Sequence, residues 1–191
     1  MDNLLIIGIA VVFLVIVIIA VILILWVIRT YNMLISYREL VRNAMAQIGA
    51  QIESRWDALS NLIEATKEYA EFESNTLVEV VKQRKQITQM STVDDVEKDT
   101  ASFSSAFSRL LAVAENYPDL KTSQVYINTM DSVNSYESNV RIARMSYNDT
   151  VTKLNREIQM FPTNIVAKIF GFNQEKYFES TDTKKEMPKW N

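Results

Sequence analysis

Between Leu4 and Ile28 the chain carries no charge at all, and the run LLIIGIAVVFLVIVIIAVILILWVI is apolar on every side of a helix. A soluble helix would show a one-sided stripe instead. As a helix, this run extends about 37 Å, more than the roughly 30 Å of a bilayer's hydrocarbon core. The pattern predicts a membrane span from Leu4 to Ile28 within an anchor over 1–29. A cleaved signal peptide does not fit: no Lys or Arg precedes the run, the run is too long, and no small-x-small cleavage site follows. Arg29, Arg38 and Arg42 all lie after the span. By the positive-inside rule they predict a single-pass protein of the cell membrane, N-terminus outside and main body cytoplasmic.

Beyond the span the pattern becomes one-sided. Leu34, Val41, Met45, Ile48, Ile52, Leu59, Leu62, Thr66 and Tyr69 fall mostly at steps of three, four or seven, so helix 1 is expected to leave the membrane unbroken and run to about Phe72. Helix 2 is expected to carry Leu77, Val80, Val81, Ile87 and Met90. Ser91-Thr92, followed by Asp94 and Asp95, reads as a capping box opening helix 3, so the cluster Asp94, Asp95, Glu97 and Asp99 reads as a helix start rather than a metal site. Helix 3 buries Val96, Phe103, Phe107, Leu110 and Ala114 and stops before Pro118. Helix 4, about Leu120–Phe161, repeats Val133, Val140, Tyr147, Leu154 and Phe161 every seventh residue, a bundle seam.

Helices 1 and 4 are each about 42 residues beyond the membrane, ~63 Å, and helices 2 and 3 about half that. The expected fold is all-α: an N-terminal transmembrane helix continuous with an antiparallel four-helix bundle of two long and two short helices. The bundle occupies 30–162, a short juxtamembrane or bundle-base segment 163–179, and a polar tail 180–191. The scarcity of turn formers agrees, with three Gly and three Pro in 191 residues. Gly49, inside helix 1, either permits a close approach or costs ~1 kcal/mol of helix stability.

Composition narrows the chemistry. There is no Cys and no His, which excludes disulfides, thiolate nucleophiles, Cys-bearing zinc sites and His-based proton transfer. A net charge of −3 offers no footprint for nucleic acid. No phosphate loop or nucleophile elbow is visible. No catalytic, cofactor or metal residue is therefore nominated.

Two groups of residues stand out. Arg55, Glu137, Arg144 and Asn148 lie on or beside core stripes and form a candidate polar core network. Charges are rarely buried unpaired, so a register-fixing ion network is preferred over a binding site. The segment FPTNIVAKIFGF is too short to span. It reads either as an interfacial helix or as a plug at the bundle base. Trp26, Arg29, Ile165, Lys168, Ile169, Phe170 and Phe172 are the candidate membrane-interface contacts.

Several short stretches, in order, resemble the LemA family of bacterial membrane proteins. They are Tyr31-Asn32, RWDALSNLIEATKEYA (55–70), YPDLK (117–121), Glu137, Arg144, Tyr147-Asn148, Phe161-Pro162, Gly171-Phe172 and Tyr177-Phe178-Glu179. Ser60 and Glu68 stand where that family often has Pro and Gly, and Gly49 where it often has Asp. The resemblance implies an anchored helical bundle, no established enzymatic activity, and in one branch an association with organelle membranes. Together these readings lead to the expectation of a non-enzymatic scaffold or membrane-organising protein. Its expected partners are the bilayer, further copies of itself and an unidentified protein. The alternative is a sensory or ligand-binding bundle.

Overall fold

A computed structural model describes residues 2–67, 81 and 84–179, with side chains from Ile6 onward. Its described residues form five helices and no strand: α1 (Asp2–Thr66), α2 (Val93–Asn116), α3 (Pro118–Thr122), α4 (Gln124–Gln159) and α5 (Thr163–Ile169). The fold is all-α, as the periodicity predicts. The chain divides into two compact units, Met1–Glu39 with Thr152–Glu175, and Leu40–Val151 with Lys176–Asn191.

In the first unit, the side chains of α1 are exposed all round from Ile6 to Leu25, including Phe13 at 68% and Leu25 at 61%. A core helix would hide these residues in the protein, so an apolar helix exposed on every side identifies lipid as its solvent. The pattern changes sharply once the charges begin. Thr30 and Leu34 are 5% and 0% exposed. Further along the chain, α5 buries Val166 and Ala167. Gly171 closes it with φ +71°, and the Phe172 amide donates to the Ala167 carbonyl at 2.9 Å. That six-to-one bond with a left-handed glycine is a Schellman-type stop. It turns Phe172 back onto Tyr31, with ring centroids 5.8 Å apart. Phe161 departs from expectation. Because α4 ends at Gln159, Phe161 lies outside the helix and is 78% exposed rather than a fifth seam residue.

In the second unit, the predicted stripe of α1 is buried from Val41 through Leu62. Arg55 of α1 reaches Glu137 of α4, and Gln47 and Ala50 share a groove with Ala143 and Ser146. Residue numbers thus fall along α1 as they rise along α4, so the two pack antiparallel. Val133, Val140 and Tyr147 of α4 are 1–3% exposed, as their seven-residue spacing requires. Thr92 caps α2 in a full capping box: its hydroxyl accepts from the Asp95 amide, and the Asp95 carboxylate accepts from the Thr92 amide at 3.0 Å. Pro118 opens the single turn α3. Ser123 is extended, which separates α3 from α4, and its Oγ accepts from the Tyr126 amide. The expected fourth helix therefore begins at Gln124 rather than at Leu120.

The expected second helix is corrected in part. Residues 84–92 are not helical. Arg84 pairs with Asp57 at 2.7 Å, and the Ile87 carbonyl lies so near Gly49 that a Cβ there would sit 2.3 Å from its oxygen. Gly49 thus admits the backbone of a non-helical segment rather than a neighbouring helix. α1 ends at Thr66 with Lys67 in a turn, short of the expected Phe72, while Tyr69, Leu77, Val80 and the tail 180–191 fall outside the described residues.

Gly49→Ala is expected to destabilise the protein. Overpacking against a backbone carbonyl costs about 1–3 kcal/mol and outweighs the ~1 kcal/mol gain in helix propensity. Gly171→Ala forces a side chain into left-handed space, at about 1–2 kcal/mol. Thermal unfolding of the full chain in detergent checks both. Gly8→Ala, where nothing lies within 4 Å of the new Cβ, is the control that does not lower Tm.

Candidate functional site

The sequence places one cation on the apolar stripe of α1. Arg55 follows Ile52 and precedes Leu59, and its side chain is fully buried. A guanidinium removed from water is stable only with charged or hydrogen-bonding partners. Two other helices provide them. Nη2 donates to Asp99 Oδ2 of α2 at 2.9 Å, and Nη1 donates to Glu137 Oε2 of α4 at 2.6 Å. The guanidinium carbon also lies 4.0 Å from the centre of the Phe103 ring, a cation–π contact. Trp56 is 1% exposed and donates its indole N–H to Asp99 Oδ1 at 2.9 Å, while its ring meets Phe103 edge-on at 5.2 Å.

The two carboxylates differ in setting. The Asp99 side chain is 1% exposed, whereas that of Glu137 is 53% exposed. Burial raises the Asp99 pKa above its ordinary value, although hydrogen bonds from Trp56 and the positive charge of Arg55 pull it back. Both Asp99 oxygens are engaged, one by Trp56 and one by Arg55. Among the described residues no group of three or more acidic side chains is placed to hold a metal ion.

Arg55 and Glu137 therefore meet as the stripes indicate. Arg144 lies within electrostatic reach of Arg55, Glu137 and Asp99, while its hydrogen bond, like those of Asn148, goes to other residues. Arg144 donates to the Thr100 hydroxyl and lies 5.2 Å from the centre of the Phe178 ring. Its pKa is lowered first by burial and then by the like charge of Arg55. Asn148 grips a backbone, donating to the Phe178 carbonyl at 3.0 Å and accepting from its amide at 2.9 Å. The sequence reading missed Trp56 and misassigned Asp99. Asp99 belongs to the buried spacing Val96, Asp99, Phe103, Ala106, Leu110 and not to the helix start. That spacing was the available signal.

The nominated interface residues lie in the first unit. Trp26 is half-buried, Arg29 and Lys168 are exposed, and Ile165, Ile169 and Phe170 are exposed at 49%, 71% and 50%. Phe172 is the exception. It is 8% exposed, packed on Tyr31 and beneath the Arg38 guanidinium at 5.2 Å, because Gly171 reverses the chain.

An apolar anchor and a helical body held by a shared buried guanidinium define a membrane-anchored all-α protein. Comparison with known proteins narrows the class. The LemA family model matches residues 44–191, and the chain belongs to that family. Protein LemA of Metamycoplasma hominis is 25% identical over 156 residues, covering 79% of this chain and 69% of that protein. Magnetosome protein MamQ 2 of Paramagnetospirillum magneticum is 35% identical over 77 residues, or 40% of this chain and 28% of that protein. Magnetosome protein MamQ of Magnetospirillum gryphiswaldense is 30% identical over 76 residues, with the same coverage. The matches thus span little more than a quarter of the magnetosome proteins' length.

Asp99→Ala is expected to cost about 3–5 kcal/mol, since it leaves a buried charge with one half-exposed partner. Glu137→Ala costs less, near the ~1 kcal/mol upper end of exposed pairs, because solvent reaches that end of the cluster. Denaturant unfolding of the two variants checks the order. A carboxyl titration by NMR provides a second check. The folded state holds the Asp99 proton more tightly than the unfolded chain does. Its contribution therefore favours folding below the ordinary pKa and is lost as pH rises through the raised value. Asp95 is the opposite case. Hydrogen bonds from Thr92 lower its pKa, so its contribution is present above the ordinary value and is lost as pH falls through the lowered one. On acidification Asp99 is expected to protonate before Asp95.

Proposed function

We propose that this protein is a non-enzymatic, membrane-anchored bundle that self-associates and serves as a scaffold or membrane-organising factor. The observation that carries this reading is the state of Asp99. It is the one fully buried carboxylate among the described residues, and both its oxygens serve structural partners. Such a group holds helices in register, with each oxygen already accepting a bond from α1.

A surface for lateral association supports the same reading. Ile142 and Met145 stand three apart on α4, 61% and 63% exposed, beside a groove of about 560 Å³ that includes Ala50, Ala143 and Ser146. Small residues along a groove let a helix from a second copy approach closely. The arginines after the span favour a cytoplasmic body, with the N-terminus outside. The relatives named as magnetosome proteins add an analogy to membrane organisation.

A ligand-binding bundle is the second reading, and one observation favours it. A groove of about 620 Å³ has Trp56, Asp95 and Asp99 in its wall and Arg84, Lys85, Lys98 and Arg109 around it, an excess of cations that suits an anionic ligand.

Light scattering of the full chain in detergent and in nanodiscs tests self-association. A multimer is expected, and Ile142→Glu should shift it toward monomer with helicity retained. A monomer in both media overturns the proposal. Because the chain has no cysteine, orientation is tested with single cysteines and an impermeant maleimide on intact cells. Asn3→Cys is expected to label and Ser132→Cys to remain unlabelled.

A further inference from the structure

We propose that α5, with the residues just before it, forms a second membrane contact that lies in the lipid headgroup layer where α1 leaves the bilayer. It rests on the anchor alone and not on self-association.

The level is fixed by Tyr31. This residue stands three positions beyond Ile28, the last of the apolar run, and so about 4.5 Å along the helix. The headgroup region adds roughly 5–7 Å to each side of the hydrocarbon core. The Phe170 ring lies 4.9 Å from the Tyr31 ring, so the end of α5 is held within that layer. Both residues belong to the same compact unit as the span.

The face is amphipathic in the required sense. Val166 and Ala167 are buried in the protein. Ile165 and Ile169, four apart and therefore on one face, are 49% and 71% exposed. Phe161 and Met160, just before α5, are 78% and 49% exposed. This apolar patch continues the surface that lipid already covers on the span. The two sequence readings of the segment are thus divided between its residues: Val166, Ala167 and Phe172 pack inward, while Phe161, Ile165 and Ile169 point outward.

Charge selects lipid over a second copy of the chain. Lys168 and Arg29 are exposed, and no acidic residue occurs between Glu157 and Glu175. Cations beside an apolar face suit an anionic headgroup surface, where each contributes about 1 kcal/mol. Seven residues are too few to cross a bilayer, so the contact is interfacial.

The test uses the full chain, free of native cysteine, in nanodiscs of phosphatidylcholine and phosphatidylglycerol. Nitroxide labels are placed singly through Ile165→Cys and Ile169→Cys, with Val12→Cys in the span and Ser102→Cys on α2 as references. The ratio of oxygen to nickel-chelate accessibility reports depth. At 165 and 169 the ratio is expected to lie several-fold above that at 102 and below that at 12. Lys168→Glu in the labelled chain should lower it. A ratio equal to that at 102 overturns the proposal. So does label–label broadening that disappears on dilution with unlabelled protein, which would identify a second copy as the occupant.

Discussion

A guanidinium with no access to water is the constraint on which the second unit depends. Arg55 is held only where Asp99 of α2, Glu137 of α4 and the Phe103 ring converge on it. The surrounding apolar contacts would accept several helix registers at similar cost, since dispersion and burial carry no direction. A charge with two fixed acceptors does not. Moving α1 or α2 by one turn would strand the buried charge of Arg55 away from Asp99, a loss of several kcal/mol against a total stability of about 5–15 kcal/mol, while moving α4 would lose the weaker, half-solvated Glu137 contact. The cluster therefore works as a registration pin, and Trp56 ties Asp99 down so that the pin cannot turn.

How much of this could be read from the sequence varies by residue. The span and the buried faces of α1 and α4 were legible because hydrophobic periodicity reports burial directly. The Arg55–Glu137 pair was legible because both charges interrupt or adjoin those faces. Asp99 was not, because Asp94 and Asp95 close before it fit the opening turn of a helix, and its place on the buried spacing was masked by theirs. Phe161 illustrates the reverse error. A seven-residue repeat continues in the sequence after the helix that gives it meaning has ended at Gln159.

Gly49 shows why family patterns need local geometry. The family resemblance implies Asp at this position. Here the Ile87 carbonyl occupies the space that a Cβ would need, and Arg84 anchors the same segment on Asp57. The approach of residues 84–88 to α1 is thus closer than an Asp at 49 would permit. The departure from the family pattern and the contact are one fact seen at two levels.

Asn148 and Asn155 hold their partners by the backbone and not by the side chain. Asn155 donates to the Glu175 carbonyl and accepts from the Glu175 amide, and Asn148 does the same with Phe178. In these bonds each carboxamide addresses main chain, and main chain is the same for every residue except proline. Residues 173–175 keep their side chains in solvent. Drift in their sequence is therefore invisible to either asparagine. An Asp in place of an asparagine would present two acceptors and lose its hold on the carbonyl. Substitution at 173–175 therefore leaves both asparagine clasps intact.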